Sequence, residues 1–282
     1  MPSQVPARQL FCQLIRQPEA RLPLAEAVLC VGWEDQGGGD PRLTIDELDR
    51  LAEAVRPRLT GLSEPPRLIA ALNRYLFSEL GFHGNPQCYD EPDPTDSFLD
   101  RVIERRTGLP ILLSLLYLEV GWRLGLPLAG LGLPGHFIVS YRGPGAPIYI
   151  DPYDGGRLWS HADCLRQIGA FHSQATSEER AQLMAPSGRR AILERILRNL
   201  KHTYLARQEF RQALAASDRL LLLNPADVGE LRDRGLLRFR LGQIIAALED
   251  LENYAARAPQ ALDLYDLRAF AHALVEQFAP LN

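Results

Sequence analysis

The chain has 282 residues, of which 46% are hydrophobic and 23% charged, so it can bury a substantial core and divide into two domains. Its 31 basic and 35 acidic residues give a formal net charge of −4, and no cluster of lysine and arginine could follow a phosphate backbone. We therefore expect a soluble, globular protein that binds no nucleic acid.

The sequence also argues against a membrane, a metal or a cofactor. The first residues, MPSQVPARQLFCQLIRQ, carry charges where a signal peptide needs an apolar core, and no apolar run approaches the roughly 20 residues that span a bilayer. The four cysteines, Cys12, Cys30, Cys88 and Cys164, are too scattered for a disulfide framework or a zinc site. We expect a cytoplasmic protein without membrane contact, whose cysteines are small buried residues or surface thiols.

The first third of the chain predicts helices. Residues 8–31 and 43–83 have helical periodicity, and Thr44, which is followed by two acidic residues, indicates a helix start. Residues 81–96, GFHGNPQCYDEPDPTD, are rich in turn formers and predict an ordered loop.

The centre of the chain predicts two helices and an antiparallel hairpin. Residues 97–106 suit a short helix, and residues 109–124 are apolar nearly all round, which is typical of a buried helix that ends at Gly125. HFIVSY (136–141) and IYID (148–151) alternate as strands, and RGPGAP between them suits a hairpin loop.

A histidine and an aspartate on this hairpin form the candidate site. If Tyr141 pairs with Ile148, His136 lies diagonally from Asp151 on the same face, within reach of a side-chain contact. A carboxylate that orients an imidazole is half of a nucleophilic triad, but such a pair also occurs as a purely structural hydrogen bond. The residues by themselves leave both alternatives open.

The charged run Glu104, Arg105 and Arg106 supplies further candidate binding residues. These side chains could form a buried ion network against the long helix, or a site for an anionic group. The alternative is that they are partly exposed and form ordinary salt bridges.

The last third of the chain predicts only helices. We interpret residues 173–188, SQATSEERAQLMAPSG, as a polar hinge and place the domains at 1–185 and 186–282. A final helix, LYDLRAFAHALVEQF, is predicted over 264–278.

This helical part contains a repeat. Ala213 and Ala247 lie thirty-four residues apart, which is the period of tetratricopeptide helix pairs. Gly235 stands where such a repeat packs two helices closely, whereas Lys201 stands at the equivalent position of the preceding unit. The helices could bind a partner or only cap the first domain.

If the helices form a groove, exposed residues of the inner helices, such as Arg234 and Arg238, are expected to contact the partner. Their replacement would then weaken partner retention without lowering the melting temperature. If the helices are a structural cap, the same replacements would impair folding.

The motif DSFLDRVIERRTGLPILLSLLYLEVGWRLGLPLAGLGLPGHFIVSY, with IYIDPYDGG after it and LNRYLFSELGFHGN before it, resembles the SirB1 family over most of residues 10–260. The resemblance implies an α+β fold: a papain- or transglutaminase-like core with a small antiparallel sheet and a mostly helical N-terminal part, followed by an all-α tetratricopeptide-like domain. Active relatives of this fold carry a cysteine at the start of a helix and His and Asp on strands, to which His136 and Asp151 correspond.

The nucleophile position implied by the resemblance holds a proline. In active transglutaminase-like proteins the cysteine lies just after a glycine at the helix start, about four turns before the Leu-Gly that ends the helix. Gly108 and Gly125 fix the same frame here, and Pro110 occupies the position. Ser114 lies roughly 6 Å further along the helix, from four residues at about 1.5 Å each, and remains a candidate catalytic residue. Cys88 could also reach the pocket, although nothing in the sequence places its sulfur near His136.

Two functions follow from this pattern. The first is a non-catalytic transglutaminase-like protein that binds a protein or peptide partner in the former cleft, aided by the helical repeats. The alternative is a hydrolase or transferase that uses His136 and Asp151 with an unconventional nucleophile or a water molecule.

Overall fold

Helices dominate residues 6–88 and 90–261, which are the residues that the computed structural model describes. The α-helices are α1 (Ala7–Leu14), α2 (Leu24–Gln36), α3 (Pro41–Leu59), α4 (Pro65–Asn73), α5 (Leu99–Arg105), α6 (Pro110–Arg123), α7 (His161–Phe171), α8 (Ser177–Leu183), α9 (Arg189–Ala206), α10 (Phe210–Leu223), α11 (Val228–Arg240) and α12 (Ile244–Arg257). The strands are β1 (His83–Gly84), β2 (Thr107–Gly108), β3 (Leu128–Leu131), β4 (Ile138–Tyr141), β5 (Ile148–Asp151) and β6 (Arg157–Trp159).

The chain divides into two units, Met1–Ile196 and Leu197–Asn282. The first unit combines helices with a small antiparallel sheet, and the described part of the second unit is helical. This is the α+β fold that the sequence predicts. The division falls within α9, and the predicted final helix over 264–278 lies outside the described residues.

Helix α3 begins earlier than its periodicity suggests. Its first residue is Pro41, and the Asp40 side chain caps it by accepting a hydrogen bond from the backbone N–H of Arg42. An aspartate cap followed by proline at the first helical position is a strong start signal. The predicted start at Thr44 was therefore wrong, and Thr44 is buried inside the helix.

Helix α6 is the buried helix predicted at the centre of the chain. Every residue from Pro110 to Gly121 is buried. The helix contacts α3, β3 and β4, so the residues that follow it in sequence fold back against it.

The main sheet has the strand order β3-β4-β5-β6 and is antiparallel throughout. Tyr141 pairs with Ile148, which is the hairpin register considered from the sequence, and Asp151 pairs with Arg157 on β6. Strands β1 and β2 form a separate parallel pair. A hydrophobic cluster joins the main sheet to α7 and comprises Leu131, Leu133, Ile138, Tyr149, Cys164, Ile168 and Met184.

The segment predicted as a polar hinge contains a helix, so that prediction was wrong. The Thr176 side chain accepts a hydrogen bond from the Glu179 backbone N–H, and the Glu179 carboxylate accepts one from the Thr176 N–H. This capping box starts α8. The T-x-x-E spacing is visible in the sequence and outweighs the polar composition.

The second unit contains the predicted repeat. Helix α10 packs on α11, and α11 packs on α12. Ala213 and Ala247, which occupy equivalent places on α10 and α12, are fully buried. Small side chains at these positions allow neighbouring helices to approach closely.

Candidate functional site

His136 and Asp151 are hydrogen-bonded to each other. Nε2 of His136 lies 2.7 Å from Oδ2 of Asp151, and the two side chains are only 13% and 4% exposed. With an ionised carboxylate, Nε2 carries the proton of a neutral imidazole. Among the described residues, none forms a hydrogen bond with Nδ1 of His136. Nδ1 is therefore the nitrogen left to accept a proton.

The backbone of the DPYDGG turn holds Asp151 in place. Its Oδ1 accepts hydrogen bonds from the backbone N–H groups of Tyr153, at 3.0 Å, and Asp154, at 3.4 Å. The turn closes with a bond from Gly156 N–H to the Asp151 carbonyl, at 2.8 Å. Gly156 has φ 79°, and a Cβ there would lie 2.5 Å from Cγ of Asn73, so glycine suits this position on two counts.

The imidazole of His136 is enclosed by two aromatic rings. It stacks on the Trp159 ring with a centroid distance of 5.4 Å and an interplanar angle of 12°. The Tyr153 ring meets it edge to face at 5.9 Å. The Arg195 guanidinium donates a hydrogen bond to the carbonyl oxygen of His136, at 2.8 Å. Packing and hydrogen bonding thus fix both the ring and the backbone of this residue.

Pro110 is the first residue of α6 and is buried. It has no backbone N–H and no nucleophilic group, and proline is well suited to a first helical turn. Ser114, one turn later, is fully buried, and its hydroxyl donates a hydrogen bond to the carbonyl of Phe137 at 3.1 Å. The hydroxyl proton that a serine nucleophile would release is therefore committed to a backbone carbonyl.

Cys88 does not contact His136 directly. Its sulfur lies 3.9 Å from the hydroxyl of Tyr153, whose ring borders His136. Burial raises the pKa of the Cys88 thiol, whereas an activated cysteine needs a lowered pKa. Burial also raises the pKa of Cys164, to about 11. Neither thiol has the properties of a catalytic nucleophile.

The hydrogen bonds and ion pairs of Glu104, Arg105 and Arg106 among the described residues do not include His136. Glu104 is exposed and pairs with Arg101, and Arg106 donates to the backbone carbonyl of Leu80. Arg105 is half-exposed and donates hydrogen bonds to Asp93 and Thr95. Glu104 and Arg105 thus form exposed or half-exposed salt bridges, which is the second of the two interpretations considered from the sequence.

A polar chain nevertheless leads from Arg105 towards His136. Nη1 of Arg105 lies 3.7 Å from Oδ1 of the buried Asp96, and Oδ2 of Asp96 accepts a hydrogen bond from the Asn85 side chain at 2.7 Å. The Tyr153 hydroxyl donates to the Asn85 carbonyl, also at 2.7 Å. Burial raises the pKa of Asp96.

Sequence reasoning missed the residues that surround the dyad. Tyr153 lies inside the quoted IYIDPYDGG motif, and Trp159 lies on a strand too short to show a pattern, so only Tyr153 had a visible signal. Asn85 and Asp96 lie in the predicted loop, where turn composition hid their side-chain roles.

Lys201 is almost fully buried in the repeat unit. Its ammonium group donates hydrogen bonds to Glu230, at 2.7 and 2.9 Å, and to Asp233, at 2.9 Å. The Ser217 hydroxyl also donates to Glu230. A buried ion cluster therefore stands where the next unit has the small residue Gly235.

Arg234 and Arg238 are mostly buried and not exposed as the sequence suggested. Arg234 forms a two-pronged pair with Asp250, at 2.7 and 2.8 Å, and Arg238 donates to the same carboxylate at 2.8 Å. Asp218 completes this second ion cluster. The expectation that these arginines offer exposed partner contacts was wrong.

No helix among the described residues is long and apolar enough to cross a membrane. Within residues 6–88 and 90–261, no group of three or more His, Cys, Asp or Glu side chains is arranged to hold a metal ion.

Comparison with known proteins assigns both units. Residues 43–198 match the family described as the transglutaminase-like superfamily, and residues 200–272 match the tetratricopeptide repeat. The chain is 36% identical over 253 residues to a UPF0162 protein of Xylella fastidiosa, with 89% of each chain covered. It is 31% identical to a UPF0162 protein of Pseudomonas aeruginosa, with 85% of each covered.

The chain is also similar to the protein SirB1 of Salmonella typhimurium. The two are 26% identical over 227 residues, which cover 78% of this chain and 80% of that protein. No solved structure matches the chain.

Proposed function

Because the chain belongs to the SirB1 family, whose transglutaminase-like domain precedes tetratricopeptide repeats, we propose that it is a non-catalytic protein that binds a protein or peptide partner in the cytoplasm. One observation supports the proposal: Pro110, which the resemblance aligns with the nucleophile position, is the buried first residue of α6, and the hydroxyl of Ser114, one turn later, donates its proton to a backbone carbonyl. The His136–Asp151 pair then acts as a tie between strands.

Covalent labelling tests the absence of catalysis. Purified full-length protein would be incubated with thiol-directed and activated-ester probes, and separately with a glutamine peptide and an amine donor. We expect labelling that is slow and unchanged by His136→Ala. Labelling of one residue that disappears with His136→Ala would overturn the proposal, because only an activated nucleophile depends on that imidazole.

Pro110→Cys supplies the positive control. If Pro110 occupies the nucleophile position, a thiol there lies at a helix N-terminus, where its pKa is lowered. We expect the variant to react with iodoacetamide faster than the matched Ser114→Cys variant, and to lose this advantage with His136→Ala. Equal rates in all three proteins would show that the frame is wrong.

Exposed leucines on the first helices of the repeat pairs test partner binding. Leu205 on α9 and Leu236 on α11 are exposed, unlike Arg234 and Arg238. We expect Leu205→Ser and Leu236→Ser to reduce partner capture by the immobilised protein without lowering its melting temperature. A lowered melting temperature would support a structural cap.

A second candidate function rests on the orientation of the imidazole. Because Asp151 binds Nε2, Nδ1 of His136 is left as a general base, which is the arrangement of a hydrolase or transferase that activates water or an unconventional nucleophile. Hydrolysis of activated esters that falls at least a hundredfold with both His136→Ala and Asp151→Asn would favour this function.

A further inference from the structure

Strand β6 lies at one end of the main sheet. Its partner is β5, and no described residue forms a ladder with its other side. At the opposite end of the sheet, β3 is partly covered by a bridge between Gly130 and Ser187. An open strand edge offers backbone hydrogen bonds to an added extended chain.

A pocket opens beside this strand. It is lined by Arg157, Trp159, Asp163, Arg166 and Gln167, which come from β6 and the first turns of α7. The two arginines are 68% and 74% exposed at the side chain, so both guanidinium groups are accessible. The indole of Trp159 supplies an aromatic surface to the same pocket.

The charges of this pocket favour an anionic ligand. Among residues 6–88 and 90–261, the one ion pair of Arg157 and of Arg166 is with an exposed or half-buried aspartate three residues earlier in sequence, and such exposed pairs are weak. Asp163 also takes part in the capping of α7, since its carboxylate accepts hydrogen bonds from the N–H, at 2.7 Å, and the hydroxyl, at 2.6 Å, of the cap residue Ser160. Either guanidinium group can therefore release its aspartate and bind a ligand carboxylate instead. A planar guanidinium binds a carboxylate through two parallel N–H···O hydrogen bonds.

The pocket is physically joined to the dyad. Arg157 is the cross-strand partner of Asp151, and the Trp159 ring stacks on the His136 ring. A ligand on Trp159 would therefore alter the surroundings of the imidazole. This inference rests on the proposed function, because it names the partner chemistry of the same domain.

We propose that an extended acidic peptide segment of a partner protein adds to the open edge of β6 and places a carboxylate between Arg157 and Arg166. The open edge supplies affinity for an extended backbone, and the arginines select acidic side chains. The site is distinct from the position of Pro110 and requires no covalent chemistry.

Three peptides test the proposal. Fluorescein-labelled hexapeptides that alternate valine with glutamate, glutamine or lysine would be titrated with the full-length protein by fluorescence anisotropy. We expect the glutamate peptide to bind at least tenfold more tightly than the other two, and Arg157→Gln or Arg166→Gln to weaken it at least fivefold. Arg50→Gln is the matched control, because Arg50 also pairs with an acid three residues earlier and is equally exposed.

Nuclear magnetic resonance supplies a readout at the dyad. The ring C–H signals of His136, identified by their loss in His136→Gln, should shift when the glutamate peptide is added and should shift less in Trp159→Phe. Equal affinity for the three peptides, or an Arg50→Gln effect as large as that of Arg157→Gln, would overturn the proposal. Tighter binding of a hexathymidine oligonucleotide than of the glutamate peptide would also overturn the proposal, because the preferred ligand would then be a nucleic acid.

The proposed β6 site and the proposed non-catalytic function can be overturned separately. If the glutamate peptide does not bind while Leu205→Ser and Leu236→Ser still reduce partner capture, only the β6 site is overturned. If covalent labelling depends on His136, the proposed non-catalytic function is overturned whatever the peptides do.

Discussion

The hydroxyl of Ser114 donates a hydrogen bond to the carbonyl oxygen of Phe137, 3.1 Å away, and both residues are buried. The bond ties the second turn of α6 to the residue that follows His136. The Ser114 hydroxyl therefore has a structural role, whereas a catalytic hydroxyl would have to be free of such a bond. Stability measurements can therefore separate the two roles.

Ser114→Ala should lower the free energy of unfolding by about 1–3 kcal/mol, because it leaves a buried carbonyl without its donor. Urea unfolding of the full-length protein measures this change. Ser173→Ala, at an exposed loop position, is the control and should have no effect. An unchanged unfolding free energy for Ser114→Ala would contradict the structural role.

Asp151→Ala should destabilise the protein more than His136→Ala. Asp151 accepts hydrogen bonds from the imidazole and from two backbone N–H groups, whereas the His136 side chain makes one hydrogen bond to the described part of the chain. At about 1 kcal/mol for each hydrogen bond, we expect losses of roughly 3 and 1 kcal/mol, plus the packing lost with the imidazole ring. Chemical denaturation of both variants gives the order, and the reverse order would count against a structural dyad.

Asp96→Asn should change how stability depends on pH. Burial raises the pKa of Asp96 in the folded chain above the ordinary value of 3.8. As the pH rises from the ordinary pKa to the raised pKa of the folded chain, the carboxyl of Asp96 loses its proton in the unfolded chain before it does in the folded chain. The free energy of unfolding of the wild type therefore falls over this pH range. The variant has no such proton and should lose less.

The comparison for Asp96 is the difference in unfolding free energy between wild type and variant, measured from pH 3 to pH 7. As the pH rises, Asp96→Asn should become more stable relative to the wild type. Asp46→Asn, at an exposed position on α3, controls for the general effect of removing a carboxylate. A difference that stays constant with pH would refute the prediction.

Lys201→Met should destabilise the repeat unit by about 3–5 kcal/mol, because it leaves the buried Glu230 carboxylate without its main partner. The double variant Lys201→Met, Glu230→Leu should recover much of this loss. Thermal unfolding of the two single variants and the double variant gives the coupling. Arg232→Met, which removes a half-exposed cation from the same cluster, should cost much less.

Gly235→Leu should destabilise the repeat unit by about 1–3 kcal/mol through overpacking. A Cβ at Gly235 would lie 3.0 Å from Leu251, whereas at Gly229, on the first turn of the same helix, the nearest atom is 3.5 Å away. Gly229→Leu is therefore the matched control. Equal unfolding midpoints for the two variants would show that the close helix contact does not lie at Gly235.

The sequence was sufficient to predict the hairpin and the dyad. Alternating strands around a Gly- and Pro-rich loop predict the hairpin, and the register that pairs Tyr141 with Ile148, assumed at that stage, is the one in the structure. This register brings His136 within reach of Asp151. The buried helix was also visible, because most side chains of residues 109–124 are apolar.

The surroundings of the dyad could not be predicted in the same way. Trp159 reaches His136 from a strand of three residues, which is too short to show a period, and Arg195 reaches it from a helix much later in the chain. From the sequence, Arg234 and Arg238 are expected to be exposed because arginine usually is. In the structure both side chains are mostly buried and pair with Asp250. Long-range contacts of this kind depend on the tertiary fold and leave no local pattern.

Pro110 has a consequence for how this protein can evolve. At the first position of α6 a proline restricts the unfolded chain without costing a hydrogen bond, which stabilises a compatible site by about 0.4–1 kcal/mol. Replacement by cysteine would forfeit that gain and, in the helix frame that we propose, would put a reactive thiol at the position that pairs with His136 in active relatives. Selection for stability and selection for reactivity therefore act in opposite directions at this single position, which favours retention of the proline.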